Sequence, residues 1–472
     1  MVAPMEPDAP PPTTALFDPR ALARFLIRPA EVFMRVAATG GGLLVIGLVA
    51  GMIWKNSGSG ASYDALWATP LVIGAGDARL ELSLLGVIND VFMAIFFLVV
   101  GAEIKHELVV GELRGARRAA VPVLAAIGGM LVPAALYVLL APGNREGFGT
   151  PMATDIAFAL AAIRLVGTRV PPFVVKVLMG LAIIDDLGAI VVIAVFYGGE
   201  LHTASLLMGA GCVAVLIGMN AAGVWRLVPY LVVGVPLWAA LHHGGVHPTI
   251  AGVLVGLCIP ARGSVSVDDV VAEARGLVGL ASDEAELPDD GRSEEALRGL
   301  HRRLRQHQAP LEVLVQAASP FIAWLILPVF ALANGGVRLE GLSLATVVAP
   351  VSLGIIVGLF VGKQLGIFAV IVGCVKSGLL RLPDGVRLGH FWGMSILAGV
   401  GFTMSLFVAA LAFDEGSLVH NEAKAGILLG STLSALAGLV VLRLLPVRRA
   451  ALPGDPIPAA EAAATTTTAE PA

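Results

Sequence analysis

Asp185 and Asp186 stand side by side in the apolar stretch VVKVLMGLAIIDDLGAIVVIAVFY, about equally far from its two ends. A lone carboxylate at mid-bilayer costs about 2.5–3.5 kcal/mol on insertion scales. Two adjacent ones are tolerable only where they face a polar cavity. Oxygen ligands at that depth suit a small hard cation, or the protons that replace it. Three more ionisable residues, Asp90, Asp155 and Lys363, also lie inside apolar stretches. In GTPMATDIAFALAAI, Pro151 precedes Asp155 by four residues and removes a backbone donor from the helix. SILAGVGFTMSLF carries Gly399 and Gly401 near its middle. Both stretches read as interrupted helices, and interruptions at corresponding places in two halves point to a transporter site. At such breaks N-terminal helix ends carry about +0.5 charge and C-terminal ends about −0.5. Asp155 suits the former and Lys363 the latter. Adjacent aspartates project about 100° apart on a helix, so one can face a cation cavity while the other pairs with Lys363. Protons and a cation then compete for the same oxygens.

The surrounding chain fixes the class. Hydrophobic residues fill 57% of 472 positions, charged residues 14%, and mean hydropathy is +0.86. That balance belongs to a polytopic membrane protein. The net charge of −4 comes mostly from termini and loops and implies no nucleic-acid partner. Cys212, Cys258 and Cys374 lie in apolar segments without CxxC spacing, so they read as small core residues.

Twelve apolar runs are expected to be transmembrane helices, at about 33–54, 84–109, 117–140, 147–165, 172–198, 204–222, 227–242, 246–260, 317–334, 346–374, 390–413 and 423–444. The run at 246–260 is shorter than the ~20 residues a straight span needs. Basic residues gather at alternate ends: Arg20, Arg24, Arg28 and Arg35 at helix 1, Arg114, Arg117 and Arg118 after helix 2, Arg164 and Arg169 after helix 4. Arg226, the group Lys376, Arg381 and Arg387, and the group Arg443, Arg448 and Arg449 continue the pattern. The basic excess puts both termini in the cytoplasm. Helices 3–5 and 10–12 then form two triplets of opposite orientation. The expected fold is therefore all-α, about twelve transmembrane helices, with inverted-topology repeats and two broken, crossing helices (4 and 11).

The expected organisation is a cytoplasmic segment over 1–30, a transmembrane domain over 31–445 and a disordered cytoplasmic tail over 446–472. Helix 1 is expected to serve as an uncleaved insertion signal. Residues 261–316 read as a cytoplasmic connector with an amphipathic helix near 293–306, whose His301, Arg302, Arg303 and Arg305 could touch anionic lipid.

Bland readings stand beside the functional ones. Asp155 alone could merely cap a broken helix, and Lys363 could balance charge without carrying a proton. Asp90 reads as a packing residue held by a hydrogen bond, His247 as a packing histidine, and Asn334 before Gly335 and Gly336 as a helix C-terminal cap. Glu103 and Glu107 at a helix end would ordinarily be a solvated face. Two rival functions use buried carboxylates. An intramembrane aspartic protease places its pair on two neighbouring helices, whereas here three aspartates keep company with a lysine. A passive channel favours rings from several subunits over one asymmetric cluster.

Five ordered segments carry a family resemblance: TDIAFAL at 154–160, LAIIDDLGAI at 181–190, FALANGGV at 330–337, VGKQLGI at 361–367 and GVGFTMSLF at 399–407. With FFLVVGAEIKHEL at 96–108 and GGVHPTIAGVLVG at 244–256, the chain resembles bacterial NhaA-type Na⁺/H⁺ antiporters over about 30–445. Inverted repeats are themselves a property of that family. The resemblance implies no cofactor, and transported Na⁺, Li⁺ and H⁺ as the partners. It implies a multi-pass homodimer in the bacterial inner membrane, exchanging cytoplasmic Na⁺ for external H⁺ electrogenically, in pH homeostasis and salt tolerance. It makes Asp185 and Asp186 the Na⁺ ligands and proton carriers, Lys363 the partner lysine, and Thr154 and Asp155 the unwound part of helix 4. It further implies a pH-response cluster of Glu103, Lys105, His106 and Glu107. The chain departs from the family pattern in a long loop at 55–82 and in the connector at 261–316.

Overall fold

In the computed structural model, the described residues are 29–75, 78–111, 115–262, 309–338 and 344–445. The N-terminal segment, the amphipathic helix expected near 293–306 and the tail lie outside them.

Each apolar run carries helix: α1 Pro29–Lys55, α2 Leu84–Val109, α3 Ala116–Leu140, α4 Arg145–Val166, α5 Pro172–Phe196 and α6 Thr203–Ala221. Then follow α7 Leu227–His243, α8 Thr249–Cys258, α9 Pro310–Asn334, α10 Pro350–Lys376, α11 in two halves (Leu388–Leu397 and Phe402–Ala412) and α12 Leu418–Leu444. Among the described residues eight helices are long and apolar enough to cross a membrane, and α11, bent by 44°, makes a ninth. The apolar parts of α1, α7 and α8 are shorter.

The long loop after α1 is not irregular. A short helix, Gly60–Trp67, leads into an antiparallel hairpin, β1 Pro70–Ala75 paired with β2 Ala78–Ser83 in the register Pro70↔Ser83 to Ala75↔Ala78. This is the one sheet among the described residues.

Without a hydrophobic drive between helices in lipid, small residues let backbones approach. Gly358, Gly362 and Gly366 repeat every fourth position along α10; the last two face α3, and Gly358 packs on Pro151 of α4. A Cβ on Gly366 would lie 2.1 Å from the Gly128 carbonyl oxygen of α3. That approach brings Lys363 toward the middle of the bundle. Three π-turns interrupt the long helices, at Val87–Phe92 in α2, Ile322–Ile326 in α9 and Gly358–Gly362 in α10. Such turns concentrate at functional sites. Here one contains Asp90 and another ends immediately before Lys363.

Candidate functional site

The two interrupted helices meet at their interruptions. The first half of α4, Arg145–Met152, is a 3₁₀ helix that includes Pro151, and residues 153–155 are not helical before Ile156–Val166 resumes as α-helix. In α11 the gap runs from Ala398 to Gly401. The Asp155 amide donates to the Val400 carbonyl at 2.7 Å, and the Thr154 hydroxyl donates to the Ala398 carbonyl at 2.9 Å. The Ser405 hydroxyl returns a bond to the Thr150 carbonyl at 2.7 Å. Buried backbone groups must be paired, and here each break satisfies the other.

Asp155 serves two helix starts at once. Its Oδ1 accepts from the Phe158 amide at 3.0 Å, which caps the second half of α4. Its Oδ2 accepts from the Thr403 hydroxyl at 2.6 Å and the Thr403 amide at 3.3 Å, in the first turn of the second half of α11. Ser431 of α12 completes that cap by accepting from the Gly401 and Phe402 amides at 3.1 and 3.2 Å. Two positive helix ends therefore face one carboxylate. The N-terminal placement expected for Asp155 holds, and capping is part of its role.

Lys363 uses all three of its donors. Nζ donates to Asp185 Oδ1 at 2.9 Å, Asp185 Oδ2 at 2.7 Å and Thr154 Oγ1 at 2.9 Å. It therefore reaches the C-terminal end at Ala398 only through Thr154. Lys363 and Asp185 are both buried. Asp186, one residue on, points elsewhere. It is 2% exposed, and among the described residues it has no hydrogen bond or ion pair. It lines a cavity of ≈ 30 Å³ with Glu103, Thr154, Asp155, Ser319 and Thr403, space for a bare cation or a water-sized occupant or two. Fully ionised, three aspartates and one lysine leave a net charge of −2. Lys363 bonds Asp185, the helix ends offset Asp155, and Asp186 has no bonded countercharge, Lys363 acting on it only at longer range. Among the described residues no three His, Cys, Asp or Glu side chains converge tightly enough to hold a metal ion. A cation at Asp186 would draw its other oxygens from hydroxyls, carbonyls or water.

Glu103 and Ile156 also line a second cavity, of ≈ 40 Å³, with His106, Glu107 and Glu312. His106 lies 3.9 Å from Glu107 and 3.7 Å from Glu312. Lys105 turns away and donates to the Ile259 carbonyl at 2.7 Å, at the end of α8. So Glu103, His106 and Glu107 of the four residues in the expected pH-response cluster share this acidic groove, and Lys105 does not. Glu312, Thr403 and Ser431 were not expected. Thr403 and Ser431 follow from asking where the amides after the Gly399–Gly401 break find acceptors.

On the far side, Leu85, Ala333, Asn334, His420 and Lys424 line a larger cavity of ≈ 520 Å³ beside the hairpin. Along α9, Leu327 touches the Asp186 cavity and Ala333 touches this one. Between them Phe330 is fully buried, its ring centroid 6.4 Å from Phe407, which in turn lies 5.7 Å from Phe97. The Asp186 cavity thus shares Glu103 and Ile156 with the acidic groove, and the rings of Phe97, Phe330 and Phe407 pack together in the core beside α9.

Asp90 makes no hydrogen bond among the described residues, contrary to expectation. The π-turn aims it between His242 and His247, at 3.9 and 3.8 Å. His247 is, as expected, a packing histidine, its Nδ1 satisfied by Thr249 Oγ1 at 2.7 Å. Asn334 does close its helix, donating to the Phe330 carbonyl at 3.2 Å, and bridges to Asn89 at 2.9 Å. The three cysteines are free.

Residues 31–442 match the family model described as Na⁺/H⁺ antiporter 1. The chain is 43% identical over 427 residues to the Na(+)/H(+) antiporter NhaA of Oleidesulfovibrio alaskensis, covering 89% of this chain and 94% of that one. It is 43% identical over 440 residues to NhaA 1 of Myxococcus xanthus, covering 92% and 95%. Against NhaA of Rhodospirillum rubrum the identity is 43% over 419 residues, covering 87% and 96%.

Proposed function

This chain belongs to the Na⁺/H⁺ antiporter 1 family, and from that premise we propose that it exchanges Na⁺ or Li⁺ for H⁺ at Asp186. It is a multi-pass membrane protein and a transporter, not an enzyme. One observation carries the site assignment: Asp186 is a buried carboxylate with no partner among the described residues, in a cavity that adjoins an acidic groove. A buried charge without compensation is costly. Such a carboxylate therefore holds either a proton or a cation, and exclusive occupancy is the basis of exchange. Thr154 and Asp155 stand beside it as further oxygens.

Electrogenic exchange follows if both aspartates take up protons in one half-cycle. Two protons leave the pair neutral, while two ionised carboxylates around one Na⁺ carry −1, so each cycle moves one charge. Protonating Asp185 requires that its ion pair with Lys363 open. Opening that pair is thus a step of the cycle. In this reading Glu103, His106 and Glu107 tune access from the groove, which gives the pH response, and the groove faces the cytoplasm of a bacterial inner membrane with both termini on that side.

Proteoliposomes loaded at acid pH test the reading. Added Na⁺ or Li⁺ should alkalinise the interior while K⁺ does not. Alkalinisation equal for all three ions, or absent, would overturn it.

A further inference from the structure

Three hydroxyl residues line the Asp186 cavity: Thr154, Ser319 and Thr403. Each has its hydrogen committed elsewhere. A carbonyl or ionised carboxylate oxygen only accepts, so the hydroxyl bonded to it must be the donor. Thr154 donates to the Ala398 carbonyl, Thr403 to Asp155 Oδ2, and Ser319 to the Val315 carbonyl one turn back on α9, at 2.5 Å. What these oxygens have left to offer is lone pairs. Thr154 also accepts from Lys363 Nζ at 2.9 Å, so one of its pairs is occupied. Ser319 is 1% exposed and makes no second hydrogen bond among the described residues, so both of its pairs are free. It stands outside the two crossing helices, on α9, three residues before the π-turn at Ile322–Ile326. A cavity of ≈ 30 Å³ keeps its lining residues close to whatever fills it.

We propose that Ser319 Oγ is a ligand of the transported cation, so that Na⁺ or Li⁺ is held between the Asp186 carboxylate and this α9 hydroxyl. The inference deepens the antiporter reading above and rests on it. Hard cations take oxygen ligands, and a hydroxyl whose hydrogen is bound elsewhere can serve a cation but cannot give Asp186 a proton. The competing proton bonds covalently to a carboxylate oxygen. From Ser319 it gains at most a neutral hydrogen bond, about half as strong as a contact with a charged group. Ser319 therefore distinguishes the two ions that share Asp186, favouring the cation.

Proteoliposomes assayed from acid to alkaline pH yield two separate quantities: the KM for Na⁺ on its alkaline plateau, and the pH at which that plateau is reached. Ser319→Cys keeps the side chain's shape but replaces a hard oxygen with a soft sulfur. It should raise the plateau KM for Na⁺ and for Li⁺ about tenfold while the plateau begins at the wild-type pH. Ser319→Thr, which retains a hydroxyl, should recover most of the affinity. Calorimetric titration of the purified proteins with Na⁺ at alkaline pH should show the same loss as a higher Kd, with Asp186→Asn as the protein that binds no cation. Unaltered KM and Kd in Ser319→Cys overturn the proposal. So does a raised KM accompanied by an equal displacement of the plateau pH, because a merely structural role would disturb Asp186 itself and both of its ions. If the wild type exchanges no Na⁺ for H⁺, the antiporter reading falls and this inference with it. If the wild type exchanges and Ser319→Cys behaves identically, only the inference falls.

Discussion

Lys363 holds both carboxylate oxygens of Asp185, at 2.9 and 2.7 Å, and neither oxygen of Asp186. Two chemically identical neighbours are thereby made unequal. The helical rotation of about 100° between them sends one to the lysine of α10 and the other to the cavity.

Asp186→Asn should therefore abolish Na⁺-driven proton movement while the protein still folds and inserts. On a solid-supported membrane the wild type should give a sustained charge displacement after a Na⁺ jump, and the variant none. Full exchange by the wild type without charge displacement would replace two protons per Na⁺ with one.

Breaking the buried pair should cost stability in a way that removing both partners does not. Lys363→Met leaves Asp185 buried and alone, a loss of about 3–5 kcal/mol. Adding Asp185→Asn to it should restore most of the thermal midpoint measured in detergent. Additive losses would show that the two side chains are not energetically coupled.

Thr403→Val removes the 2.6 Å bond to Asp155 but keeps the Thr403 amide contact. Hydrogen bonds to charged groups contribute about 1.5–3 kcal/mol, so a fall of that size is expected in stability. Because the same oxygens border the Asp186 cavity, KM for Na⁺ should rise as well. A lower stability with unchanged KM would restrict Asp155 to capping.

Competition at Asp186 fixes the sign of the pH dependence. Falling pH fills the carboxylate with protons and raises the apparent KM for Na⁺. Rising pH lowers it, about tenfold per unit where one proton must leave for each Na⁺ entering, until the site is ionised and KM levels off. Proteoliposome assays over a range of internal and external pH measure this, and a flat KM would indicate separate routes for the two ions.

The spans and the central charges were legible because both are local signals: apolar runs of membrane length, and ionisable residues inside them. Asp155 at a helix start followed from Pro151, and the partnership of Asp185 with Lys363 was one of two open rotations. The π-turns were not legible, since a one-residue slip in hydrogen bonding leaves no mark on hydropathy. That is why Asp90 turned out to face His242 and His247 instead of a hydrogen-bond donor. The direction of Lys105 was not legible for a related reason: it depends on where α8 ends, a tertiary fact. The β1–β2 hairpin was hidden in a loop whose alternating pattern spans only six residues a side.

The aromatic layer has an electrical consequence. From Leu327 at one cavity to Ala333 at the other is six residues of α9, about 9 Å of helix. A voltage drops mainly across material that neither ions nor water can polarise, so in a conformation that opens the Asp186 cavity to water most of the membrane potential would fall within the layer of Phe97, Phe330 and Phe407. An ion whose site changes sides across that thin layer traverses nearly the whole voltage, worth about 2.3 kcal/mol per charge per 100 mV, although the helices themselves need shift by only a few ångströms.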